Sequence, residues 1–493
     1  MTIPDYPLGV GLALDADARR LPDGSIFGGS PARVLRLSAH GSHAWTEILS
    51  GPVRTATGAR LARRLTDVGV LHPISVPSSA LDVTVVVPVR DRSVELERCL
   101  TALGRQHAVL VVDDASLRPE LVNTVCQRHG ADVFARSING GPAAARNTAL
   151  AHITSDFVLF LDSDCVPPAD LVDRLSGHFV DPLVGAVAPR IQALAGASRA
   201  IRYGMAASSL DLGDRHARVA PGTRVSYVPT AALLVRRAAI DEVGGFDRAL
   251  RVGEDVDLVW RLDATGWRVR YDPSVTVRHA EPYTWRALLG RRFRYGTSAA
   301  PLARRHPGRL TPVVVHSWSG IAVVAMLARR PWLAVGAVVG STAALRRTMD
   351  EAEIDSSGAA QEAVRAVSHT WRQLGRAATQ FASPLLAIAL VKGRWTRRAT
   401  VAGFVLAGPL SEWRAGQRTL GPVSFSAARI ADDVAYGAGV VTSSIRHRTT
   451  EPLRPRRVHR MLRIAVSEPV PVPAVPSVPD SLGATTAERA VHV

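Results

Sequence analysis

The sequence predicts an α/β protein: a mainly parallel β-sheet with helices on both faces, set between a small module in front and a basic helical region behind. Three observations carry this expectation. Apolar, β-branched runs alternate with helix-like stretches between residues 81 and 285. Clusters rich in Asp fall where those runs end, which is where open α/β sheets bind their ligands. The net charge of +17 sits wholly in residues 286–493, which hold 29 Arg and Lys against 12 Asp and Glu.

At 493 residues, 47% hydrophobic and 21% charged, the chain has length for two or three domains with buried cores and is too apolar for a disordered or fibrous polymer. Cys99, Cys126 and Cys165 form no CxxC pair, which excludes a disulfide scaffold or a cysteine zinc site. The amino terminus, MTIPDYPLGVGLALDADARR, has no basic stretch followed by an apolar core. No signal peptide is therefore expected, and a cytoplasmic location is.

Residues 1–78 read as a separate small domain. DGSIFGGSPARVLRLS predicts two short strands around a Gly-Gly turn, and HAWTEILS and GARLARRLTDVGVLHP predict helices with apolar residues three and four apart. The order is that of a winged helix. Its charge of only +2, without a basic recognition face, argues against nucleic acid as a partner.

In residues 81–285 the strands are LDVTVVVPV, HAVLVVDD, ADVFAR, DFVLFLDSD and LVGAVAPR, and the helices include SVELERCLTAL and GPAAARNTALAHI. Residues 286–450 read as helical and basic. There the apolar runs 312–327, 331–345, 381–391 and 399–410 are each short of the roughly 20 residues that span a bilayer, with Arg or Lys between them. They are expected either to lie in the anionic cytoplasmic leaflet or to form a buried bundle. Residues 451–493, Arg-rich and then Pro/Val-rich without periodicity, predict a disordered tail.

The chemistry-bearing clusters follow the same order. Asp113-Asp114 ends one apolar strand, and a carboxylate there can accept hydrogen bonds from a nucleobase or ribose. Asn139-Gly140-Gly141-Pro142 opens a helix whose free N–H groups suit a diphosphate, with Arg146 adding a fixed charge. It lacks the lysine of a P-loop and the three glycines of a dinucleotide fingerprint, which disfavours kinases, NTPases and nicotinamide enzymes. Asp162-Ser163-Asp164 ends DFVLFLDSD with two carboxylates that could grip a hard divalent cation; a solvated turn is the plainer alternative. Glu254-Asp255-Val256-Asp257 starts a helix. One acid would cap it, but three leave a carboxylate free to take a proton from an acceptor hydroxyl. His279, in VTVRHAEPYTW, is either a last metal ligand or a hydrogen-bonded structural residue.

VTVVVPVRDR, VVDDAS, NGGPAAARN, FVLFLDSD, VGGFDRAL and VGEDVDLVWRL occur in the order and spacing of the family-two inverting glycosyltransferases with the GT-A fold, which the chain resembles over about 200 residues. The resemblance implies that Pro88, Val89, Arg90 and Asp114 hold the uridine, Arg146 the diphosphate region, Asp162 the sugar and ribose side, and Asp164 with His279 a divalent cation, Mn²⁺ or Mg²⁺. It implies Asp255 as catalytic base with Glu254 near the acceptor. Arg90-Asp91 stands where many members have Tyr-Asn. The front segment, through GGSPARVLRL and LARRLTDVGVLHP, resembles the peptide-recognition modules that chaperone precursor peptides in peptide-derived cofactor pathways. Together with RRFRYGTSAAPLARRHPG, the whole is similar to the mycofactocin-system glycosyltransferases of actinobacteria. That similarity implies a UDP-sugar donor, glucose as the sugar and a peptide-derived cofactor precursor as acceptor. A lipid or cell-wall polysaccharide acceptor is the alternative.

Overall fold

The computed structural model describes residues 3–78, 81–351, 356–458 and 463–465. The five apolar runs of the centre all form strands, Val83–Val89, Ala108–Asp113, Asp132–Ala135, Phe157–Leu161 and Val184–Ala193, within one nine-stranded sheet. Because side chains alternate along a strand, four of these runs feed two cores, while the edge strand Asp132–Ala135 is largely exposed. Val85, Val87, Leu159 and Leu161 pack with Leu96, Leu100 and Val125 of helices Ser93–Leu103 and Pro119–His129. Val86, Val158 and Phe160 pack on the other face with Ala145 and Ala149 of Pro142–Leu150 and Leu258 and Leu262 of Glu254–Ala264. Each fully buried Val, Leu or Phe contributes about 1.5–3 kcal/mol, so the strands are held from both sides. The three cysteines are free and buried.

The sheet is mixed rather than mainly parallel. Strands 83–89, 108–113, 132–135 and 157–161 are parallel neighbours, and 184–193 is parallel to Arg268–His279. Ala232–Arg236 instead inserts antiparallel between 157–161 and 184–193, and both Cys165–Val166 and Ala217–Val219 pair antiparallel with 268–279. A parallel neighbour requires a crossover that returns the chain to the same sheet end, whereas an antiparallel one does not. Here the chain turns back after helix Arg199–Ala207 through largely irregular backbone and enters from the other end.

In the front segment, Arg19–Arg20, Ile26–Gly28 and Arg33–Leu35 form a small antiparallel sheet, beside helices Ala39–Ser50 and Ala56–Asp67 and the pair Leu12–Leu14 with Leu71–Pro73. At Gly29 (φ +86°) a Cβ would press on the Val68 carbonyl oxygen at 2.6 Å, so the turn requires glycine. The segment is riveted to the sheet by buried ion pairs: Arg63 to both carboxylate oxygens of Asp181 (2.8 and 2.7 Å), and Arg268 to both of Asp67 (2.7 and 2.9 Å). These meet the sheet where strands 184–193 and 268–279 begin, away from the strand ends that bear the Asp clusters.

Beyond residue 284 the chain is helical, in Trp285–Thr297, Ala299–Arg305, Ser317–Leu327, Pro331–Glu351, Ala359–Lys392, Trp395–Ala415 and Pro422–Arg446. The last lies backbone to backbone against Trp285–Thr297: a Cβ on Gly296 would collide with the Tyr436 carbonyl, and one on Gly439 with that of Phe293. Disorder does not begin at Glu451. Pro452 is buried, Arg456–Val458 pairs in parallel with Val314–His316, and Arg463–Ala465 pairs with Arg33–Leu35. Each of these segments finds an open strand edge whose N–H and C=O groups it satisfies. The rest of the expected tail, 459–462 and 466–493, lies outside the described residues.

Candidate active site

A cavity of about 1460 Å³ opens at the carboxyl ends of the parallel strands, and Pro88, Val89, Arg90, Asp114, Arg146, Asp162, Asp164, Glu254, Asp255 and His279 all line it. Strand ends and helix starts bring them together across 192 positions of sequence.

Pro88 and Val89 finish strand 83–89, and Arg90 begins the loop. The Asp91 N–H donates to Ser116 Oγ (2.9 Å) and the Leu117 N–H to Asp91 Oδ1 (2.7 Å), stitching this loop to the one after strand 108–113. Asp114 is buried, and its carboxylate accepts the N–H groups of Gly140 (3.0 Å) and Gly141 (2.7 Å) and pairs with Arg136. Three of its roughly four lone-pair positions are thereby used, so its first task is to shape the glycine turn. Gly141, at φ +83°, takes a conformation that side chains rarely allow.

Arg146 is buried on the helix this turn opens. Its guanidinium donates to Asp162 Oδ1 (2.7 Å) and Glu254 Oε1 (3.0 Å), linking the end of strand 157–161 to the start of helix 254–264. The charge expected to face a diphosphate is thus shared between two carboxylates. Arg92 was not foreseen: it lines the cavity, half exposed, and is paired with Asp164. Its place two residues beyond Arg90 in PVRDR was the available signal.

Strand register explains His279. Cys165 pairs with His279, and the Ala280 N–H donates to the Asp164 carbonyl (3.0 Å), which brings the imidazole Nε2 to 3.3 Å from Asp164 Oδ1. Burial would raise the Asp164 pKa, but His279 and Arg92 outweigh it and hold the carboxyl well below the usual range. Burial pulls His279 down, yet the Asp164 carboxylate leaves its pKa raised. Two ligands of an octahedral ion, each roughly 2.1 Å from it, stand about 3 Å apart, so this pair fits as two donors to a divalent cation. The Arg92 guanidinium rests on the other carboxylate oxygen, Asp164 Oδ2, and leaves Oδ1 facing His279. Among the described residues no third His, Cys, Asp or Glu completes a cluster.

Helix 254–264 starts after Gly253 (φ +85°), whose Cβ would clash with Ser298, and Glu254 and Asp255 occupy its first turn. Burial drives the Asp255 pKa up to about 7, with the neighbouring Glu254 carboxylate adding to the shift. Burial also raises Glu254, against the opposing pull of Arg146. Asp257 is committed elsewhere, to Arg261 (2.8 Å) and His306 (2.8 Å).

The opposite wall comes from the helical region. Arg292, Tyr295, Arg376, Asp432 and Tyr436 line the same cavity. Arg292 and the Tyr203 hydroxyl both donate to Asp432 Oδ2 (2.8 Å each), and Arg376 donates to Asp433 (2.9 Å). Tyr227 also lines the cavity; burial and the Asp255 carboxylate hold its hydroxyl protonated.

Residues 84–244 match the family description Glycosyl transferase family 2. Over 477 residues the chain is 39% identical to the pre-mycofactocin glycosyltransferase of Mycobacterium tuberculosis, covering 92% of this chain and 99% of that one. It belongs to the pre-mycofactocin glycosyltransferases of family 2. This glycosyltransferase therefore has the GT-A fold, with the mixed sheet and helical C-terminal region described above. Over 231 residues the chain is also 25% identical to the O-antigen chain rhamnosyltransferase of Salmonella typhimurium, 44% of this chain and 72% of that one. A solved mannosyltransferase from Pyrobaculum calidifontis, in complex with GDP-Man and Mn²⁺, aligns with 69% of this chain and 89% of its own at 21% identity and a TM-score of 0.37.

Proposed function

We propose that this glycosyltransferase moves glucose from UDP-glucose to a hydroxyl of a peptide-derived cofactor precursor, inverting the anomeric centre to give a β-glucoside. The observation that carries the reading is Asp255: a carboxylate at a helix start, in the cavity, with a pKa of about 7. A base whose pKa lies near the working pH combines the ionised form with useful proton affinity. The likeness to the pre-mycofactocin glycosyltransferase of Mycobacterium tuberculosis supports the acceptor class.

Asp255 takes the acceptor hydroxyl proton as that oxygen bonds to the anomeric carbon from the face opposite the diphosphate. The bond from the anomeric carbon to the phosphate oxygen breaks, and UDP leaves with the electron pair. Pro88, Val89 and Arg90 would flank the uridine. Asp162 and Glu254, fixed by Arg146, orient the sugar and the acceptor, while Arg92 is free to turn from Asp164 to a phosphate oxygen. Asp164 and His279 would hold Mn²⁺ or Mg²⁺, which would neutralise charge growing on the diphosphate. The front segment is read as capturing the peptide part of the acceptor.

The test is mass spectrometry of the purified protein with a divalent cation, a panel of UDP-sugars and the mycofactocin precursor. A hexose-sized gain that requires UDP-glucose and disappears in Asp255→Asn supports the reading. Transfer from another UDP-sugar alone would replace the sugar, and undiminished transfer by Asp255→Asn would remove the base.

A further inference from the structure

The helical region carries a surface that the transferase reading does not use. Helices Ser317–Leu327, Pro331–Glu351, Ala359–Lys392 and Trp395–Ala415 follow one another and share a small core around Val323, Ala337, Val367 and Phe404. When consecutive helices pack as antiparallel neighbours, the first and third connections fall at the same end of the bundle. Here those connections are Ala328-Arg329-Arg330 and Gly393-Arg394.

The apolar runs around these two turns are exposed rather than buried. Trp332 is 86% exposed and Trp395 78%, and Val324, Leu333, Leu385 and Val391 are each more than half exposed. The flanking charge is of one sign. Residues 282–349 and 363–411 contain no Asp or Glu, and among the described residues Arg329, Arg330, Lys392, Arg394 and Arg397 make no ion pair. Exposed tryptophans beside unpaired cations suit a headgroup layer, where the indole has one apolar and one wet side and anionic lipids answer the charge.

Helix Ala359–Lys392 is long and apolar enough to cross a membrane by length and composition. Two features argue that it does not. Arg376 is tied to Asp433 in the cavity wall, and the helix is broken at Ala382 (φ −129°, ψ 21°), next to Pro384. Only residues 377–391 remain free of charge, and fifteen helical residues rise about 22 Å against a hydrocarbon core of about 30 Å.

We propose that the two turns form a tip that docks onto an anionic lipid leaflet without spanning it, the tryptophans at headgroup depth and the basic residues over the phosphates. This goes beyond the transferase reading and does not depend on it.

The experiment is co-sedimentation of the purified full-length chain with vesicles of phosphatidylglycerol and phosphatidylcholine, or of phosphatidylcholine alone. Binding is expected to the first and at least tenfold weaker to the second, and to fall at high salt. Trp332→Glu with Trp395→Glu, and separately Arg329→Glu with Arg330→Glu, should each reduce it at least tenfold while leaving the thermal midpoint unchanged. No binding to the anionic vesicles overturns the proposal, as does binding that both double variants retain. Sedimentation velocity showing a dimer that dissociates in the tryptophan variant would overturn it as well, by assigning the tip to a second copy. None of these readouts uses sugar transfer, so the outcome is independent of the enzymatic test.

Discussion

The cavity has two walls of opposite character. On the sheet side, carboxylates sit at strand ends and helix starts with their proton affinities displaced, Asp164 downward and Asp255 upward. On the helical side, Arg292, Arg376, Asp432 and Asp433 are just as buried or as charged, but they answer one another in ion pairs. The contrast teaches that charge density alone does not mark a reactive wall. Asp255, whose nearest charge is the Glu254 carboxylate, gains proton affinity, whereas Asp164, beside His279 and Arg92, loses it.

The sharpest way to break this division is Asp255→Asn, which should lower kcat by about 10²- to 10⁴-fold with donor affinity retained, as measured by turnover and by binding of the UDP-sugar. If the helical wall only shapes the cavity, Asp432→Asn should change kcat far less and show itself in acceptor KM.

The same residue makes a stability prediction of opposite sign. In the unfolded chain Asp255 ionises near pH 4, in the folded protein only near 7, so between these values the folded state binds more protons and stability falls as pH rises. Above pH 7 the cost is fully present. Asp255→Asn should therefore raise the melting temperature at pH 8, by at most about 4 kcal/mol of stability, and much less at pH 4. On the helical side the expectation is reversed: Gly439→Val forces a Cβ against the Phe293 backbone and should cost about 1–3 kcal/mol, read by denaturant titration. The smallest effect is in the pH profile, where kcat/KM should fall about tenfold per unit below pH 7 and flatten above it.

Much of the sheet wall was legible in the sequence because its signals are local. VVVPV, VLVVDD and FVLFLDSD each pair an apolar strand with the polar residues that end it, and the acidic start of helix 254–264 lies within four residues. What a linear reading could not supply is who answers whom. Arg146 looks free in NGGPAAARN, and only the fold brings Asp162 and Glu254 to it. Asp114 ends its strand as expected, but the glycine turn 26 residues away claims its oxygens. Strand Ala232–Arg236 escaped notice because its antiparallel insertion depends on the path of the preceding loop rather than on its own composition. The helical wall was illegible for the same reason at greater range: Tyr203 and Asp432 are 229 residues apart. The apolar runs 312–327 and 381–391 suit a buried or a lipid-facing position equally by composition, since both environments select the same side chains.

The lining of the cavity runs in sequence from Pro88 to Pro452, with Asp432 and Tyr436 on its far wall. During synthesis the sheet wall leaves the ribosome well before its counterpart. At about 5–20 residues per second, the 162 residues from Trp285 to Arg446 take roughly 8–32 s. For that interval a nascent chain exposes a charged half-cleft with no far wall, able to meet nucleotide but not to enclose it. Catalytic competence therefore arrives late and at once, when the helix bearing Gly437 and Gly439 closes on its neighbours, and premature termination anywhere in that span removes the far wall of the cleft.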